Sequence, residues 1–184
     1  MRADAQRNYQ ALVAAAREAF AEHGADAPLD DIARRAKVGP GTLYRHFPHR
    51  DELLAAVYVA DIEALSAQSR ELAKDLPPEE ALTAFLRLLM DYTQRKLGLH
   101  TAIKQMLGAR SDTYALCRSL LHEAADTVIT RAQDAGVIRR DLDPWTILRL
   151  VHGVALASES APETTDLMLS VVRDGLRPTS SGPQ

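Results

Sequence analysis

Apolar positions recur at helical spacing along most of this chain, and where the spacing stops a Gly or a Pro usually stands. From Tyr9 to Glu22, the residues Leu12, Ala15, Ala16, Ala19 and Phe20 share one face, which predicts an amphipathic helix closed by Gly24. Residues 1–8 carry little apolar content and are expected to form a flexible arm. Leu29, Ile32, Ala33 and Ala36 stand at i, i+3, i+4 and i+7 and predict a short second helix. Asp30 and Asp31 fall in its first turn, where carboxylates suit the exposed amide dipoles. Lys37-Val38-Gly39 leaves room only for a tight turn, in which Gly39 is expected to take backbone angles that other residues avoid. Pro40, with its φ preset, begins a third helix and Pro48 stops it. Within it Leu43 and Phe47, four apart, face inward; Thr42, Arg45 and His46 point out, with Tyr44 on the flank.

The next helix runs without Gly or Pro from Arg50 to about Lys74, on the order of 35 Å, and Pro77-Pro78 ends it. That is too long for a three-helix domain alone, so it must link that domain to the rest of the chain. Beyond it the pattern remains helical. Expected segments run from Glu79 to Leu97, from Leu99 to Leu107 with Gly98 as the break, and from Ser111 or Asp112 to about Ala135 with Gly136 as terminator. Asp143-Pro144 opens a helix to about Glu159, and Pro162 opens a last one fading near Leu176. The expected fold is therefore all-α, about nine helices with no strand. Residues 1–49 would form the first domain, 50–177 a larger helical one, and 178–184 a polar tail.

Two short helices joined by a turn, the second with one apolar edge and one hydrogen-bonding edge, constitute a helix-turn-helix. Between Arg34 and Arg50 there are five Lys or Arg and no Asp or Glu, against a net charge of -3 for the whole chain. Such a local positive cluster points to phosphate as its partner.

The order Leu29-Asp30-Asp31-Ile32-Ala33, then Val38-Gly39, then Gly41 to Phe47, then Arg50-Asp51-Glu52-Leu53, resembles the DNA-binding domain of the tetracycline-repressor (TetR) family. The likeness extends back to Ala14-Ala15-Ala16 and Phe20, covering roughly residues 7 to 57. Members often place Ser or Thr where Pro28 and Gly39 stand here, so both short helices lack a hydroxyl cap, a minor loss at Gly39. The resemblance implies a regulator that binds double-stranded operator DNA as a homodimer, released by a small molecule held in the C-terminal domain.

Composition narrows the rest. An apolar share of 46% and a charged share of 26% fit a folded globular protein. No stretch could cross a bilayer as a helix and no apolar signal core comes after Arg2 and Arg7, so no membrane association is expected and the cytoplasm is the expected location. Cys117, the single cysteine, permits no internal disulfide. The six His are scattered, and there is no nucleophile elbow, phosphate loop or dinucleotide fingerprint, so neither enzymatic activity nor a cofactor or metal is expected.

DNA contact is expected from Arg7, Lys37, Pro40, Gly41, Thr42, Tyr44, Arg45, His46 and Arg50. Arg45 is long enough to fork onto a guanine edge, Arg50 is assigned to a backbone phosphate, and Pro40 and Gly41 lack bulk to hold a duplex away. Thr93, Cys117, Trp145 and His152 interrupt or border apolar stripes and form the candidate ligand chamber. Val151, Gly153, Val154, Ala155, Leu167, Val171 and Val172, small or apolar on the last two helices, form the candidate dimer interface. The competing interpretation is a helical interaction or apolar-ligand carrier module with no operator.

Overall fold

The computed structural model of the chain describes residues 2–107 and 112–178. Among these there are eight α-helices and no strand: α1 (Arg2–His23), α2 (Leu29–Arg35), α3 (Pro40–His46), α4 (Arg50–Asp75), α5 (Pro78–Leu107), α6 (Asp112–Asp134), α7 (Pro144–Ala157) and α8 (Thr165–Gly175). Single 3-10 turns at Gly24–Asp26 and Pro162–Thr164 precede α2 and α8. The expected tail at 178–184 lies, apart from Pro178, outside the described residues, as does the possible cap at Ser111.

Two segments differ from the sequence expectation. The arm expected over the first eight residues is the opening of α1. Ala3, Ala5 and Gln6 are good helix formers, Asp4 sits in the first turn, and Arg7 pairs with it one turn on, so nothing there opposes the helix. Gly98 does not break the helix either, and α5 runs through it, 30 residues long in all. A mid-helix glycine costs about 1 kcal/mol, which a long helix absorbs; fusing these two segments lowers the helix count by one.

Other termini match the residues that announce them. Gly24 and Gly136 take positive φ, +72° and +70°. The Val137 N–H then donates back to the Ala132 carbonyl at 2.9 Å, satisfying an end of α6 that would otherwise lack a donor. Asp143 caps α7, accepting from the Thr146 amide at 3.1 Å and from its hydroxyl at 2.6 Å.

Two compact units result. The first comprises Met1–Glu63 with Lys96–Arg118, the second Ala64–Arg95 with Ser119–Gln184, so α4 and α5 each supply both. In the first, α1, α2 and α3 touch one another over a core containing Leu12, Phe20, Ile32, Leu43 and Phe47, with Leu53, Leu54 and Val57 of α4 also buried. In the second, Leu82, Phe85 and Leu86 of α5 and Val128, Ile129 and Ala132 of α6 are buried, together with Ile147 and Val151 of α7.

Candidate nucleic-acid interface

The site is built from α2, the turn after it, and α3. Pro28 and Gly39 stand at the two N-caps in extended conformation, and neither helix start has a side-chain cap. The turn is made differently from the sequence expectation. Lys37, not Gly39, adopts the left-handed conformation, with φ +56°, while Gly39 has φ -71° and ψ 152°. Closing α2 requires a left-handed residue directly after its C-cap Ala36, so that the Lys37 and Val38 amides can reach the Arg34 and Ala33 carbonyls, each at 3.0 Å. Gly39 lies two residues further on, where the extended N-cap of α3 is needed, and there its conformational freedom is unused. A lysine held in that region costs roughly 1 kcal/mol or more.

α3 is anchored by Leu43 and Phe47, both buried. Its other face is open: Tyr44 is 49% exposed, Pro40, Gly41 and Arg45 are exposed, and Thr42 and His46 are half-buried. A methyl group built on Gly41 would meet, beyond its chain neighbours and the backbone of its own helix, no atom within 4 Å, so tertiary packing does not demand a glycine there. Tyr9 of α1, not singled out by the sequence reading, closes the far end of α3. Its ring lies 5.1 Å from that of Phe47 and meets the His46 ring edge-on at 6.2 Å. The available signal was its spacing, one turn before Leu12 and two before Ala16 on the same helical face.

The basic cluster is smaller than its residue count implies. Arg35 donates in a fork to Glu22 of α1, at 2.9 and 2.7 Å, and from Nε to Asp31 at 2.8 Å, while Arg34 also pairs with Asp31. These bonds raise the Arg35 pKa further and hold the Glu22 carboxyl below its usual range. Arg50, assigned to a phosphate, is half-buried and donates from Nη1 to the Ala25 and Ala27 carbonyls, at 2.9 and 2.6 Å. Lys37 and Arg45 are exposed and have no such partner among the described residues. Arg7 is exposed on α1, engaged with Asp4.

Each of the four residues proposed for a ligand chamber has its own local surroundings. Thr93 donates its hydroxyl to the Leu89 carbonyl of its own helix at 2.8 Å, and Trp145 lies against His122 with ring centres 5.4 Å apart. Cys117 is buried in the first unit, and His152 is exposed because α7 buries the face of Ile147, Leu148, Val151 and Ala155. Among the expected interface residues, Val151 and Ala155 belong to that buried face and serve the chain's own core. Gly153 is exposed, Val154 and Val172 are half-buried, and Leu167 and Val171 are 65% and 64% exposed. Leu150 and Leu156 are also exposed and were not foreseen. α7 is apolar on two faces, so the sequence did not distinguish its inner from its outer side. Among the described residues no group of His, Cys, Asp or Glu is arranged to hold a metal, and no helix is long and apolar enough to cross a membrane.

Comparison with known proteins bears on both parts of the chain. Residues 12–57 match the family described as bacterial regulatory proteins, tetR family, and residues 77–178 match the C-terminal domain described as transcriptional regulator SbtR-like. The chain is 36% identical to the HTH-type transcriptional regulator UidR of Escherichia coli (strain K12), over 91% of this chain and 87% of UidR. Among solved structures it is similar to a TetR transcriptional regulator from Streptomyces coelicolor, with a TM-score of 0.78 and 37% identity over 94% of this chain and 99% of the other. It is also similar to a TetR transcription regulatory protein from Mycobacterium vanbaalenii, with a TM-score of 0.73 and 31% identity over 96% and 99% of the two chains.

Proposed function

The chain belongs to the TetR family of bacterial transcriptional regulators, and from that premise we propose that it is a repressor acting as a homodimer on a near-palindromic operator, released by a small molecule. Members of this family bind operator DNA as homodimers and take ligands in the C-terminal domain. The observation that carries the reading for this chain is α3, held from beneath by Leu43 and Phe47 while Tyr44 and Arg45 project outward beside a glycine the fold does not need. Thr42, Tyr44, Arg45 and His46 read the duplex, Lys37 and Arg7 bind phosphate, and Pro40 and Gly41 let the backbone approach. Arg50 holds the frame that presents them.

One such head covers few base pairs, so affinity comes from two set about 34 to 36 Å apart. The pairing surface is the exposed apolar side of α7 and α8, at Leu150, Leu156, Leu167 and Val171, with Gly153 permitting close approach. Residues 1–49 form the head, and the remainder through 177 holds the dimer and the ligand. Moving the population from 1% to 99% released requires about 5.5 kcal/mol of differential ligand binding. The chain works by binding, in the cytoplasm where the operator lies.

Selection of bound fragments from random duplex DNA tests this. The expected product is a two-fold symmetric site whose recovery falls steeply with salt. Fragments without a shared half-site, or no retention at low ionic strength, would favour the interaction or carrier module.

A further inference from the structure

Between the second half of α4 and the first half of α5, wholly inside the second unit, lies an open cavity of about 1120 Å³. Its size lies just above the range that small-molecule sites usually offer, roughly 300 to 1,000 Å³. The walls are mostly carbon, from Leu72, Leu76, Pro77, Ala84 and Leu88. The charged groups around them are mostly acidic: Glu71, Glu79, Glu80 and Asp91 line the space against one cation, Arg87, with Gln68 and Thr83 as neutral polar neighbours. Lys74 approaches Glu71, and Arg177 approaches Glu79, no nearer than 4.0 and 3.9 Å, and Glu80 and Asp91 have no cationic partner among the described residues. Carboxylates outnumber cations around the space, which disfavours an organic anion relative to a cation of similar shape.

We propose that this groove takes a small organic cation with an apolar tail. The tail supplies most of the affinity by covering the leucine wall, and the carboxylates, being largely solvated, supply preference for charge sign more than strength. The cation's role as the releasing ligand rests on the regulatory reading above. The second half of α4 forms one wall, and that same helix begins at Arg50, whose side chain holds the carbonyls between α1 and α2. An occupant that shifts α4 therefore acts on a helix that reaches the reading head.

The test titrates the full chain calorimetrically with decyltrimethylammonium below its micellar concentration, and with decanoate as an anion of similar tail. The expected result is saturable binding of the cation at one site per chain, with decanoate at least about tenfold weaker. Replacing Glu80→Gln together with Asp91→Asn should lower the cation's affinity about tenfold, and Ala67→Trp at the exposed edge of the groove should lower it further. Equal binding of both amphiphiles, or cation binding indifferent to the paired substitution, overturns the proposal. Operator binding is measured in parallel without amphiphile: its absence overturns the regulatory reading while calorimetry still decides the groove. Operator affinity unchanged at saturating cation overturns the releasing role.

Discussion

Arg50 opens α4 by donating from its guanidinium to the carbonyl oxygen of Ala27 at 2.6 Å, across 23 residues of sequence. The same nitrogen reaches Ala25 at 2.9 Å, so one side chain ties the start of the long helix to the connection between α1 and α2. Charged hydrogen bonds of this kind contribute about 1.5 to 3 kcal/mol. Arg50→Ala should therefore lower the unfolding free energy of the head by about that much, and weaken DNA binding on every sequence as the head loosens. Arg45→Ala should leave the melting curve in place and remove roughly 1 to 3 kcal/mol of discrimination at one base pair. Urea melts beside binding to a panel of operator variants separate the two; an unchanged melt for Arg50→Ala would return it to the phosphate-contact role.

Gly41→Ala distinguishes what the fold needs from what a duplex needs. Beyond its chain neighbours and its own helix backbone the added methyl meets no protein atom within 4 Å, and the site is helical, so stability should rise by about 0.5 to 1 kcal/mol. Operator affinity should fall instead, because the methyl projects into the space left for the DNA. Thermal melting and a gel-shift titration on the same preparation check both signs.

Tyr9, 37% exposed, lies against Phe47 and His46 through its ring. Tyr9→Phe should be nearly neutral. Tyr9→Ala should cost about 0.5 to 1.5 kcal/mol of aromatic contact plus the buried area, and should reduce discrimination at the base step served by His46 more than elsewhere. Uniform loss across the operator panel would make Tyr9 a packing residue alone.

On α7 and α8 the inner and outer apolar faces should respond differently. Leu167→Asp and Val171→Asp, on side chains about two-thirds exposed, should leave the monomer folded and shift sedimentation from dimer to monomer. Val151→Ala, buried within the chain, should instead lower the melting temperature through a core cavity. Sedimentation velocity and calorimetry distinguish these responses.

Cys117 gives a pH signature. It is fully buried, and burial together with the Glu63 carboxylate pushes its thiol up to about 11 from its ordinary value near 9. Between those values the unfolded chain releases the proton while the folded chain keeps it, so this stabilisation is complete below pH 9 and is lost as pH rises through 11. Tyr58, raised by burial, acts in the same direction at higher pH. Urea midpoints at pH 8 and pH 10 should fall less for Cys117→Ala than for the unaltered chain.

Much of the fold was legible in the chain because helices are specified locally. Apolar spacing marked α2 and α3, Gly24 and Gly136 marked two termini, and Asp143 marked a cap, since each acts on neighbours within a turn or two. The outward set on α3 was legible for the same reason: Leu43 and Phe47 assign the inner side, and geometry assigns the rest. Local reasoning went wrong where a residue type was taken for its usual task. Lys37 takes the left-handed position because of where α2 ends, and Gly98 stays helical because its neighbours outweigh it.

What tertiary structure alone decided was the fate of charge and of apolar faces. Glu22 binds Arg35 from thirteen positions away, and the backbone near Ala27 engages Arg50 from twenty-three, so a cluster of five cations left Lys37 and Arg45 without such partners among the described residues. Likewise Val151 lies inside and Leu167 outside, although both are aliphatic residues on neighbouring helices of the sequence. Pairing and burial depend on which surfaces meet, and spacing along one helix carries no record of its neighbour.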